Sequence, residues 1–236
     1  MASKNRGPQR GGRNNGPDPV TRWIVIGMVL LVVVIGAVFT VVSNKSASNV
    51  ALPPGASKED GYGIVFNPEA KSTVNIWEDF QCPSCKRFEE ANGAKIFSLI
   101  DSGKTKVVFH TLSFLGNESV IAGMGGGCAA DQGRFLDYKN FMYTNQQEEF
   151  SGTWTKPYVI SMASQIGLDE TKFAACLNTD KYRKWLTNVS AAGSAADING
   201  TPTVVINGKV MESDREGINY YTAEGFNAQL VANGIN

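Results

Sequence analysis

Apolar and polar positions divide the chain into two unlike parts. Trp23–Val42, WIVIGMVLLVVVIGAVFTVV, is an uncharged run of twenty residues with no polar face. A helix of that length spans a hydrocarbon core. The run is too long for a cleaved signal peptide and lacks its small-residue cleavage site. One transmembrane helix is expected there.

Beyond residue 60 the apolar runs are short and bounded by turn residues. Gly61–Asn67 (GYGIVFN) and Ser72–Phe80 (STVNIWEDF) are rich in β-branched and aromatic residues and read as strands. A helix is expected from Pro83 to Gly103, where Phe88, Ile96, Phe97 and Ile100 recur among polar residues and Pro83 suits a first turn. Lys104–Leu115 (KTKVVFHTLSFL) is a further strand. Strand, helix, strand is the signature of a βαβ unit with a parallel pair. Residues 117–197 are helical in pattern throughout. Thr201–Val210 (TPTVVINGKV) returns to strand with a hairpin signal at Asn207-Gly208, and a short helix capped by Thr222 closes the chain. The pattern is a small α/β unit with a helical insertion before its last two strands.

Charge orients the two parts. The formal net charge is zero, yet residues 1–22 carry Lys4, Arg6, Arg10, Arg13 and Arg22 against Asp18 alone, and only Lys45 follows the apolar run closely. The positive-inside rule then keeps the N-terminus cytoplasmic and exports everything after Val42. Residues 1–22 are too polar to bury a core and are expected to be a disordered basic tail. Residues 43–59, with a double proline and small polar side chains, read as a tether. Residues 60–236 suffice for one domain. That domain carries a slight acidic excess, so no nucleic-acid face is expected.

All four cysteines, Cys82, Cys85, Cys128 and Cys176, fall on the exported side, where disulfides form. Cys82 and Cys85 stand three apart at a strand-to-helix junction. The helix N-terminus there favours thiolate over thiol at Cys82, which makes it the nucleophile, with Cys85 as resolving partner. A structural zinc site needs two close ligand pairs, and the other cysteines are far apart. A copper site using this pair and His110, the one histidine, is an alternative. A structural staple is disfavoured because so short a loop barely constrains the unfolded chain. A redox pair fits best. Cys128 and Cys176 lack local partners and are expected to form a second, structural disulfide, the alternative being two buried free thiols.

Taken together, WEDFQCPSCKRFE, the helical insertion and GTPTVVINGK (Gly200–Lys209) resemble the DsbA family of thioredoxin-fold thiol:disulfide oxidoreductases, and in particular its membrane-anchored actinobacterial members. The resemblance covers about residues 60–236. It implies a thioredoxin-like α/β fold with an inserted helical subdomain, and a cis Thr201–Pro202 bond facing the cysteine pair and meeting the substrate. It also implies exported proteins with free cysteines as substrates, and reoxidation by a DsbB- or VKOR-like membrane quinone reductase. No cofactor or metal is implied. Many thioredoxin-fold enzymes place a buried acid six residues before the first cysteine. Here that position is Ile76, leaving the nearby Glu78 and Asp79 as candidate proton relays. The leading reading is an enzyme that introduces disulfides. A reductase or isomerase on the same fold, or a non-catalytic copper protein, is the alternative. The glycines of GMGGGC (Gly123–Cys128) do not fit a nucleotide loop, and the aromatic positions Phe135, Tyr138, Phe141 and Tyr143 read as core.

Overall fold

The structure, a computed structural model, describes residues 20, 23, 24, 26–36, 50–211 and 220–235. Residues 1–49 and 50–236 are separate compact units. In the first, residues 26–36 are helical and their apolar side chains are exposed. Positions 25 and 37–42 of the expected span, nearly all of the basic tail and residues 43–49 of the tether lie outside the described residues. Among the described residues no helix is long and apolar enough to cross a membrane. Residues 50–59, assigned to the tether from composition, pack instead. Val50, Leu52 and Ala56 lie against the core, and Ala56 bridges to Ile64.

The second unit is built on a five-stranded sheet in the order β1-β3-β2-β4-β5. The strands are β1 (Ile64–Phe66), β2 (Ser72–Glu78), β3 (Thr105–Thr111), β4 (Thr203–Ile206) and β5 (Lys209–Val210). β2 and β3 run parallel, with Ile76 beside Phe109 and Trp77 beside His110, and the other pairings are antiparallel. The parallel pair demands a crossover, supplied by α1 (Pro83–Asp101). β4 and β5 join through Asn207 and Gly208, whose φ of 48° and 82° match the turn that a tight hairpin requires. Thr222 caps α7 (Ala223–Ala232) by accepting from the Gly225 N–H at 3.1 Å.

Both faces of the sheet are covered, so the central strands are buried on both sides. On one face Phe88 of α1 meets Phe226 of α7 edge-to-face at 5.5 Å. On the other lie Trp77 and His110. Here α6 (Arg183–Ala195) comes close because Gly193 has no side chain, and a Cβ there would stand 3.1 Å from the indole.

The insertion comprises α2 (Asn117–Ala130), α3 (Phe135–Thr144), α4 (Lys156–Ala163), α5 (Glu170–Asn178) and α6. Its centre is α2, buried from Ile121 through Ala130. The glycine run is explained by what packs on it. A side chain at Gly125 would collide with the Tyr138 hydroxyl, and one at Gly127 would lie 2.6 Å from the Tyr182 ring. Both rings are pinned, Tyr138 by donating to Ala122 O at 2.8 Å and Tyr182 by donating to Asp131 at 2.6 Å. The glycines lower helix propensity, and the aromatic packing they admit offsets that cost. Cys128 of α2 is joined to Cys176 of α5 by a disulfide, tying the insertion together.

These contacts separate two kinds of glycine. Gly127→Ala is expected to destabilise by about 1–3 kcal/mol, because the Tyr182 ring cannot give way. In Gly93→Ala the new methyl meets only Glu89 Oε2 at 3.5 Å, so the helix gains up to about 1 kcal/mol. Urea midpoints of the two variants measure the difference.

Candidate active site

Strand β2 ends inside the molecule, and the chain turns directly into α1. Glu78, Asp79, Phe80, Gln81 and Cys82 are all buried, with Cys82 retaining 8% exposure and Cys85 none. Only Cys82 is open to an attacking thiol. It is the N-cap of α1, and Pro83 follows at the first helical position. The two sulfurs are unbonded here, the dithiol state. As a thiol, Cys82 donates to the Thr201 carbonyl at 3.4 Å. That bond brings the loop before β4 against Cys82, and the Thr201–Pro202 peptide in it is cis.

The thiol pKa of Cys82 is lowered to about 6. The largest cause is the hydrogen bond from the Cys85 thiol. The Thr201 side chain and the N–H groups of Cys85 and Ser84 add to it, against the opposing effect of burial. Cys85 shifts the other way, pushed well up by burial, by its bond to Cys82, and by the charges of Cys82 and Glu78. One cysteine is held as thiolate and the other as thiol. Lys86 and Arg87 are engaged elsewhere, Lys86 with Glu90 at 3.8 Å and Arg87 with Ser84 and the Tyr221 ring.

The two acids behind the pair behave differently. Asp79 accepts from Gln81 N (2.9 Å), Ser119 Oγ (2.7 Å), Phe114 N (3.1 Å) and Leu115 N (3.4 Å). Burial still lifts its pKa to about 6. Its oxygens are committed to organising backbone. Neither oxygen of Glu78 has a hydrogen-bond partner, and burial raises its pKa well above the usual carboxyl range. Lys139 of α3, 3.7 Å away, opposes that rise, while Glu89 of α1 adds to it. Lys139 itself pairs with Glu89 at 2.5 Å. Glu78 is therefore a buried acid whose pKa is raised and which, when ionised, raises that of Cys85 in turn.

Sequence reasoning did not single out Lys139 or Glu89. The available signal was a lysine among the buried positions Phe135, Tyr138, Met142 and Tyr143 of α3, where an uncompensated charge is costly. His110 is not at the site. It stacks on Trp77 at 3.6 Å, bonds Asn75 Oδ1 at 3.1 Å, and burial lowers its pKa to about 4. Among the described residues no three metal-ligating side chains cluster.

The thioredoxin family profile matches residues 61–221, more than half of the chain. The chain belongs to the thioredoxin family. It is 24% identical over 176 residues to disulfide bond formation protein D of Bacillus subtilis, covering 72% of this chain and 79% of that protein. The crystal structure of oxidised BdbD from B. subtilis superposes with a TM-score of 0.64 at 21% identity, over 78% of this chain and 98% of that one. MdbA of Actinomyces oris, described as a thiol-disulfide oxidoreductase, gives 0.65 at 19% identity, over 79% and 91%. These likenesses establish a thioredoxin fold that includes the inserted helices.

The Cys82 environment is directly measurable. Thiolate absorbance at 240 nm in the reduced protein is expected to titrate near pH 6, well below a free thiol. In Cys85→Ala the midpoint rises, because the leading donor is gone. A thiol with a depressed folded pKa stabilises the reduced fold fully above the unfolded value and loses that contribution as pH falls through about 6. The melting temperatures of reduced wild type and Cys82→Ser should therefore converge below that pH.

Proposed function

We propose that this protein is a membrane-anchored thiol:disulfide oxidoreductase that introduces disulfides into exported proteins. The observation that carries the reading is the asymmetry of the pair. Cys82 is an accessible, stabilised thiolate beside the Thr201 backbone, while Cys85 is a sealed thiol. The names of the relatives point the same way.

In the oxidised enzyme, a substrate thiolate attacks Cys82 Sγ and the Cys82–Cys85 bond breaks. Cys85 leaves as a thiolate and takes a proton, a role we assign to Glu78, whose charge acts on Cys85 and which is reprotonated from the substrate side. A second substrate thiolate then attacks the substrate sulfur of the mixed disulfide, and Cys82 leaves. Two substrate thiols become one disulfide, and the enzyme gains two electrons. Cys85 holds one proton; Cys82 remains thiolate at neutral pH, and the other proton goes to solvent. A low pKa makes Cys82 a good leaving group and favours the reduced form, which is what an oxidant needs. Reoxidation returns the electrons to a membrane quinone through a DsbB- or VKOR-like partner.

Anchoring rests on the uncharged run Trp23–Val42, its basic N-terminal flank and the exposed apolar side chains of residues 26–35 that are described. With residues 1–22 cytoplasmic, the domain beyond the tether is extracytoplasmic, where Cys128 and Cys176 stay oxidised.

Equilibration with glutathione is expected to place the Cys82–Cys85 pair above the roughly −270 mV of a reducing thioredoxin. A value at or below that makes the protein a reductase. Cys85→Ala should accumulate mixed disulfides with exported proteins, all through Cys82. Glu78→Gln, which keeps the shape and removes the proton, should slow substrate oxidation at pH 7 by about 10-fold or more while leaving the Cys82 titration near pH 6.

A further inference from the structure

Tyr220 stands where α1, the start of α7 and the loop before β4 meet. Its hydroxyl donates to the Pro202 carbonyl at 3.0 Å, a buried bond. Its own carbonyl accepts from the side-chain amide of Asn92, on α1, at 2.8 Å. Its ring packs edge-to-face on Phe88 of α1 at 5.9 Å and stacks on Tyr221 at 4.7 Å, and the Arg87 guanidinium lies over Tyr221. Thr222 then caps α7, whose Phe226 packs on the same Phe88. Tyr220 is therefore fixed to α1 at several points, and α1 carries Cys82 at its N-cap.

The loop that Tyr220 reaches is open on its upstream side. Asn199 and Gly200 are exposed, and a side chain at Gly200 would meet nothing within 4 Å. Thr203 Oγ1 donates to Gly200 O at 2.7 Å, a bond internal to this segment. Thr201 lies between that open stretch and the buried Pro202, and it meets Cys82 in two ways. Its carbonyl accepts from the thiol at 3.4 Å, while its hydroxyl is buried without a partner in the dithiol state. A thiolate reverses the demand. It accepts and cannot donate, so the carbonyl loses its partner and the hydroxyl gains one.

We infer that Tyr220 is a positioning residue for thiol–disulfide exchange: it braces the loop before β4 against α1, so that the Thr201 hydroxyl meets the Cys82 sulfur when that sulfur becomes negative. This role presupposes the oxidoreductase reading, in which Cys82 leaves the mixed disulfide as a thiolate. The brace closes a circuit from Cys82 along α1 to Asn92, through Tyr220 to Pro202, and back through Thr201 to Cys82. A hydrogen bond to a charged acceptor is stronger than one to a neutral acceptor, provided the donor is aligned. A fixed circuit supplies the alignment before the charge appears, so nothing need reorganise as the sulfur leaves.

Neutral substitutions in the full-length protein test the brace, read by the 240 nm titration of Cys82. Tyr220→Phe removes the hydroxyl and keeps the ring on Phe88. The Cys82 midpoint, near pH 6 in wild type, should rise by about 0.5–1 unit, a roughly 3- to 10-fold weaker acid. Thr201→Val, which removes the donor itself, should raise it at least as much. Tyr220→Phe/Thr201→Val should match Thr201→Val alone, because the brace acts through that hydroxyl. Asn92→Leu frees the other end of Tyr220 and should give a smaller rise. Near-UV circular dichroism checks each fold, and Asn92→Leu decides the matter if Tyr220→Phe loses its signal. An unchanged midpoint in the deciding variant, or effects of Tyr220→Phe and Thr201→Val that add in full, overturn the brace. Failure of the wild type to oxidise dithiothreitol would strike the oxidoreductase reading, while the titrations still judge the brace.

Discussion

Ionisable groups buried in one short stretch, Glu78 to Cys85, are the constraint around which the domain is organised. A charge removed from water is costly unless it is neutralised, paired or supplied with donors. The structure uses all three. Asp79 keeps four donors, Glu78 lies next to Lys139 with its pKa raised by burial, and Cys82 takes the helix N-terminus and the Cys85 thiol. The same burial that would destabilise a charge splits the two cysteine pKa values in opposite directions. Chemistry and fold are therefore answers to one electrostatic problem.

Two of those partners come from the insertion, Ser119 from α2 and Lys139 from α3. Their placement depends on α2 lying close to α3 and α6. The approach is possible because Gly123, Gly125 and Gly127 leave room for Leu186, Tyr138 and Tyr182. The Cys128–Cys176 disulfide adds a covalent tie between α2 and α5. The helical insertion thus supplies a donor to Asp79 and a counter-charge to Glu78.

The loops that carry no regular structure are held as firmly as the helices. Gln81, Asp79 and Glu118 satisfy backbone groups that would otherwise be orphaned at the rim of the site.

Local physics fixed much of this in advance. The spacing of Cys82 and Cys85 at a strand-to-helix junction, the Asn207-Gly208 turn and the Thr222 cap all depend on neighbours within a few residues, so they are legible from pattern. Sequence also left the domain start ten residues late, because Val50, Leu52 and Ala56 gain their reason to pack only from a core that is distant in the chain. The purpose of the glycine run was invisible, because it lies in the rings of Tyr138 and Tyr182, up to 55 positions away. Adjacent acids looked equivalent; only tertiary contacts gave Asp79 its donors and left Glu78 without any. Sequence determined which groups could react, since reactivity begins with residue type and local spacing. The fold decided which of them are charged, because charge is set by burial and by partners drawn from remote segments.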